Sequence, residues 1–127
     1  MKRISVITFA LAIALCFSGI AHSVDRWEDT ITVSPKVLVP DYSGTRISIH
    51  STILASEVVR SSLYIEVDGQ GPIDARNVYV DNTGHIAAKF DFETVYAYVV
   101  PPCAVITLYG TFTNGEDFSA EAIVQVK

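Results

Sequence analysis

Three carboxylate pairs have the residue types and spacing that proton transfer requires: Glu28/Asp29, Asp91/Glu93 and Glu116/Asp117. General acid–base chemistry needs one member of such a pair desolvated, so that the two pKa values separate. Glu116 and Asp117 follow the turn dipeptide Asn114-Gly115, and Glu28 and Asp29 sit in a polar stretch, so both pairs are expected in water. Asp91 and Glu93 stand where a helical turn is expected to begin, and acidity there is favoured by the helix macrodipole. The histidines add little. His22 lies in the N-terminal segment, His50 falls on the outward phase of an alternating run, and His85 follows the turn glycine Gly84. A solvated surface position suits both His50 and His85. The chain has no H-x-x-x-H, C-x-x-C or G-x-S-x-G pattern and no phosphate-cradling glycine loop. The residues therefore predict no catalytic or metal site and no cofactor. A hydrolase is a distant alternative whose site would be assembled from remote positions and would fail on changing Asp91 or Glu93.

The remaining reactive side chain is Cys103. The other cysteine, Cys16, lies in an N-terminal segment expected to be removed, so the mature chain would retain only Cys103 and form no internal disulfide. A reactive thiol needs nearby cations or a helix N-terminus to lower its pKa. Pro101, Pro102, Ala104 and Val105 supply neither, which favours a small apolar residue opening a buried strand over an intermolecular thiol. Binding chemistry has more material. Tyr64, Tyr79 and Tyr109 all fall on outward strand phases, and exposed aromatics on a sheet can stack on sugar rings or anchor a protein contact. Tyrosine also simply suits exposed strand positions, and that is the plainer account.

The elements that position these residues begin after an export signal. Lys2 and Arg3 form a basic start, Ile4 to Phe17 is almost wholly apolar, and Ala21-His22-Ser23 offers small residues where a signal peptidase reads. Cleavage before Val24 is the first expectation and cleavage after Ala21 the second. The apolar run is short for a bilayer core, which needs about 20 residues. Cys16 is preceded by Leu15, which disfavours a lipoprotein signal. The expected organisation is a signal peptide over 1–23, a polar leader over 24–30 carrying Trp27, and one domain over 31–127. Loss of Lys2 and Arg3 leaves seven basic against 14 acidic residues, a mature net charge of −7. The cations are scattered singly, so a nucleic-acid groove and an anionic membrane surface are both disfavoured. Acidity here serves solubility.

Within the mature chain, period-two alternation dominates. Ile106, Leu108, Gly110 and Phe112 share one face opposite Val105, Thr107, Tyr109 and Thr111. After Asn114-Gly115, Phe118, Ala120, Ala122, Val124 and Val126 share the next. Two such runs about an Asn-Gly dipeptide predict an antiparallel hairpin with a type I′ turn. Ile31 to Val39 reads as a first strand broken at Pro35. Thr45–Thr52 and Ser61–Val67 alternate, with Asp68-Gly69-Gln70-Gly71-Pro72 as a loop after the latter. Short strands are expected around Val78 to Val80 and Ile86 to Phe90, separated by the turn Asp81-Asn82-Thr83-Gly84. About seven short strands in a chain of this length predict an all-β, two-sheet antiparallel sandwich. One segment departs from the pattern. Phe92, Val95, Tyr96 and Val99 recur at helical spacing, with Asp91 as N-cap and Pro101-Pro102 as stop, predicting a short helical turn within 91–99. A strand over Val95 to Val100 is the competing reading.

These same residues carry a resemblance. Lys89-Phe90-Asp91 leading into a helical turn, then Val105 to Gly110, Asn114-Gly115, Phe118 and Ile123 to Val126, resembles a module recurring in exported bacterial and archaeal proteins. The opening Ile31-Thr32-Val33-Ser34-Pro35 is similar to that module's first strand, and the likeness is densest from Lys89 onward. It implies an immunoglobulin-like sandwich of unassigned activity, often an accessory of larger secreted proteins. Some members carry an acidic calcium-type loop before K-F-D. Here Asp81-Asn82-Thr83-Gly84 has a single carboxylate, too few oxygens for a strong site.

The preferred functional reading is an exported, non-catalytic sandwich that mediates periplasmic, envelope or extracellular interactions with an unknown protein or glycan. The alternative is a structural or assembly subunit that pairs through an open edge strand, to which Cys103 and the Pro35-containing first strand would be relevant.

Overall fold

The computed structural model describes residues 30–127. The expectations for the signal peptide, its cleavage site, the leader, Trp27, His22, Cys16 and Glu28/Asp29 lie outside the described residues. Among the described residues there are nine strands: β1 (Ile31–Ser34), β2 (Val37–Leu38), β3 (Arg46–Leu54), β4 (Tyr64–Val67), β5 (Gln70–Asp74), β6 (Asn77–Val80), β7 (His85–Asp91), β8 (Cys103–Thr111) and β9 (Asp117–Val126). A short helix α1 (Phe92–Tyr96) joins β7 to β8, and 3-10 turns at Ala55–Glu57 and Arg60–Ser62 join β3 to β4. One sheet has the order β1-β3-β7-β6, the other β2-β9-β8-β4-β5. Every pairing is antiparallel except the two-residue match of β2 to β9.

The alternation read from the sequence becomes the core between the sheets. Ile47, Ile49 and Phe90 from the first sheet meet Ile65, Ile106 and Leu108 from the second, all at 2 % exposure or less. Each such side chain contributes about 1.5–3 kcal/mol through removal of apolar area from water. Pro35 divides the first strand as expected, because proline cannot donate to a ladder. Ile31 to Ser34 pair with β3, and after the proline Val37 and Leu38 pair with β9 in the other sheet. The β3–β7 register shifts between His50 and Leu54. Ser51, buried at 6 %, plugs that irregularity: its hydroxyl donates to Ile86 O at 2.7 Å and accepts from Ile53 N at 3.1 Å.

Two turns differ from expectation. The β8–β9 hairpin forms, but not through a type I′ turn. Of Asn114 and Gly115 only the glycine has a positive φ, 95°. Gly115 N–H donates to Phe112 O at 2.9 Å and Phe112 N–H to Glu116 O at 2.7 Å, the pattern of a three-residue loop closed by a left-handed glycine. The type I′ geometry instead occurs at Asp68-Gly69, with φ of 51° and 79°. The expected loop over 68–72 is therefore a two-residue turn followed directly by β5. Asp68 tolerates its left-handed backbone because its carboxylate accepts Val105 N–H at 2.9 Å. Pro72 fits β5 because that strand is an edge. The helical turn is present over Phe92–Tyr96, shorter than the segment expected, and its N-cap is Asp91.

Candidate functional site

The outer face of the second sheet brings two of the three singled-out tyrosines together. Tyr64 on β4 lies directly opposite Tyr109 on β8, and the rings stack at 5.0 Å between centroids and 18° between planes. Glu66 follows on the same face of β4. Burial pushes the Tyr109 phenol up to about 12, reinforced by the Glu66 charge and a hydrogen bond to it. Burial also raises Tyr64, with Glu66 and Asp117 adding to the effect. On β9, partial burial strips hydration from Glu121 and raises its pKa. Val105 and Thr107, on the outward phase of the central strand β8, are buried at 1 % and 7 %. Alternation alone therefore does not delimit this face. The five strands of the second sheet contain four carboxylates, Glu66, Asp74, Asp117 and Glu121, and no lysine or arginine. The strands of the first sheet carry Arg46, Lys89 and the carboxylate Asp91. The lysine and arginine of the described strands are thus confined to the first sheet.

Tyr79 does not join this pair. It lies on β6, in the other sheet, edge-on to His50 at 6.2 Å and beneath Lys89 Nζ at 5.8 Å. The three tyrosines share an outward phase, but strand order puts them on opposite sides of the molecule. The same face brings together residues that read as unrelated surface groups. His50 Nδ1 stands 4.0 Å from Asp81 Oδ2, and Thr83 Oγ1 lies 3.1 Å from His85 Nδ1. Asp81 Oδ1 accepts the Thr83 hydroxyl at 2.6 Å, Thr83 N–H at 2.9 Å and His85 N–H at 3.0 Å. These hydrogen bonds, led by the Thr83 hydroxyl, hold the Asp81 carboxyl down to about 2. The 81–84 turn therefore closes on its own carboxylate. Among the described residues no group of three His, Cys, Asp or Glu side chains is arranged to hold a metal ion.

Asp91 and Glu93 border a groove of about 440 Å³ lined by Pro40, Tyr42, Thr45, Phe92 and Tyr96. Asp91 works there as a cap. Its carboxylate accepts Thr94 N–H at 3.1 Å and the Thr94 hydroxyl at 2.8 Å, which lowers its pKa. That direction is opposite to what a general acid needs. The groove aromatics are packing elements: Phe92 lies 4.7 Å from Tyr42 and 5.4 Å from Tyr96. The Tyr96 hydroxyl donates to Lys127 O at 2.7 Å, tying the crossover to the chain end.

Cys103 opens β8 half-buried, at the strand-opening position read from the sequence.

The strand order assigns the class. With the nine strands lettered A, A′, B, C, C′, D, E, F and G in chain order, the sheets read A-B-E-D and A′-G-F-C-C′. That is an immunoglobulin-like sandwich whose first strand is divided between the sheets. No family model matches the chain, and no curated protein matches it significantly. Among solved structures, the chain is similar to a bacterial immunoglobulin-like domain from the M. primoryensis ice-binding adhesin. Identity is 13 %, the match covers 77 % of this chain and 96 % of that one, and the TM-score is 0.36. At that level the likeness adds nothing to the topology, which carries the assignment by itself. No helix among the described residues is long and apolar enough to cross a membrane.

Proposed function

We propose that this protein is an exported, non-catalytic interaction module that meets a protein partner through the outer face of its second sheet. The stacked Tyr64–Tyr109 pair carries the reading, because it sets two large amphipathic side chains within a sheet that holds four carboxylates and no cation. Tyrosine is enriched at protein contacts because it offers area at low conformational cost. A protein partner is favoured over a glycan by the ring geometry. Sugar stacking needs an open aromatic face, and because each ring spends one face on the other the pair offers half the stacking surface of two separate rings. Export is supported by the basic and apolar start of the chain and by Ala21-His22-Ser23.

The test places a photo-crosslinking amino acid at Tyr109 in producing cells, with Tyr79 on the opposite sheet as the control. A discrete protein adduct at 109 and none at 79 is expected. Equal crosslinking at both positions, or none at 109, refutes the reading. Titration with a panel of soluble polysaccharides is expected to leave tyrosine fluorescence unchanged.

A further inference from the structure

Among the described residues, the second sheet is unfinished along part of β9. Gln125 N–H donates away from β8, to Lys36 O at 3.1 Å, and Lys127 N–H likewise to Leu38 O at 2.9 Å. Val126 N–H turns the other way, to Pro102 O at 2.8 Å. The β8–β9 register runs without a shift from Cys103↔Gln125 to Thr111↔Asp117. Antiparallel ladders alternate strictly, so Ile123, Glu121 and Ser119 aim their N–H and C=O groups the same way as Gln125. Strand β2 covers only Gln125 and Val126. Beyond it, no described residue hydrogen-bonds to the backbone of Ser119, Glu121 or Ile123 on that side. Among the described residues the row lies open because Pro35 diverts the chain: the residues that would continue β2 along β9 pair with β3 instead, from Ile31↔Ser51 to Ser34↔Ser48.

We propose that the open edge of β9 between Phe118 and Val124 is an acceptor site for one extended, cationic segment of a partner protein, which adds to the second sheet as a further strand. An exposed strand edge is a template for another backbone, with main-chain groups supplying affinity and alternate side chains supplying choice. The charge decides what that segment carries. A residue placed opposite Glu121 shares the outer face with it, and Asp117 stands at the end of the same edge, with no lysine or arginine in the sheet to compete. A second copy of this chain fits poorly. The two-fold register that uses all three open residues sets Ser119 against Ile123 and Glu121 against its own copy. Like charges directly opposed destabilise a strand pair, and each chain carries a net charge of −5. A lysine or arginine in that place converts the repulsion to attraction.

The probe is a synthetic peptide of alternating lysine and valine, about eight residues long to match an ordinary strand, with a glutamate–valine peptide as control. Amide hydrogen exchange is followed residue by residue. Added lysine–valine peptide is expected to protect the amides of Ser119, Glu121 and Ile123, and less so as salt is raised. Ser119→Pro removes one outward N–H while leaving the β8 ladder intact, and should weaken binding about 3- to 10-fold. Glu121→Gln should weaken it without touching the backbone. The proposal is overturned if the amides stay unprotected or if the glutamate–valine peptide protects them equally. Protection already present in the free protein overturns it too, since another segment of the chain then fills the slot. Protection that grows with protein concentration alone overturns it in favour of self-pairing. Tyr109 stands directly across the β8–β9 ladder from Ser119, so Ser119→Pro tells the two proposals apart: it weakens peptide binding at the edge and leaves the adduct at 109 unchanged if the tyrosine face alone meets the partner.

Discussion

Replacing Gly110 by alanine tests whether the pairing that positions Tyr109 depends on a ring packed over a glycine. A Cβ built at Gly110 would lie 2.5 Å from Phe118 Cζ, 2.8 Å from Phe118 Cε2 and 2.7 Å from Leu63 Cδ2. Carbon atoms settle at about 3.5–4.0 Å, so the ring and Leu63 must together yield by roughly an ångström. Phe118 sits directly across the ladder from Gly110 and is 6 % exposed. Phe112, 4.7 Å away, limits its retreat. The backbone at Gly110 is unremarkable, so the penalty is steric. Overpacking of this kind costs about 1–3 kcal/mol, and a domain of this size loses about 4–8 °C of melting temperature per kcal/mol. Urea and thermal unfolding followed by circular dichroism should show a loss of about 2 kcal/mol, or about 8–16 °C. Phe118→Leu shortens the obstructing side chain, so the double variant should cost at least about 1 kcal/mol less than the two single costs combined. A Gly110→Ala protein within about 0.5 kcal/mol of the parent, or strictly additive costs, would refute the packing account.

Three further predictions concern hydrogen bonds and charge. Ser51→Ala leaves Ile53 N–H and Ile86 O without their buried partner, and urea unfolding should report a loss of about 1–3 kcal/mol. Glu121 has its pKa raised in the fold by partial desolvation, so the unfolded chain releases its proton first and stability falls as pH rises through the Glu121 titration. Glu121→Gln should therefore raise the melting temperature at neutral pH, and the gain should vanish in acid where both states are protonated. Asp81 is held down to about 2 by the Thr83 hydroxyl and two backbone N–H groups. Its contribution is present above the ordinary aspartate range and lost as pH falls toward 2, and Thr83→Ala should move its carboxyl titration upward in a nuclear magnetic resonance titration.

Local patterns translated well into elements wherever one face had to be buried. The alternation in Val105–Phe112 and Phe118–Val126 predicted β8 and β9 with the observed inward sets, and Asp91 followed by Thr94 predicted the cap of α1. Turn chemistry was harder to read. Asn-Gly and Asp-Gly both suit a type I′ turn, and only the loop length set by the flanking registers put that turn at Asp68-Gly69. Outward phases were the least legible. Phase says that a side chain leaves the core but not which sheet it leaves from, so Tyr79 read like Tyr64 and Tyr109 although it lies across the sandwich from them. His50, Asp81 and His85 converge only because β3, β7 and β6 are neighbours.

The sequence by itself determined the periodicity, hence which side chains of each strand face inward. It also determined the break at Pro35, the acidity, and the lack of any catalytic motif, since all of these are properties of residues close together in the chain. Strand order was decided by the tertiary structure, because backbone pairing partners and the fit between two packed faces depend on residues far apart in sequence. That order stacked Tyr64 on Tyr109, placed Glu66, Asp74, Asp117 and Glu121 in a sheet whose strands hold no lysine or arginine, and left the Ser119–Ile123 edge without a partner among the described residues, where Pro35 turned the first strand away.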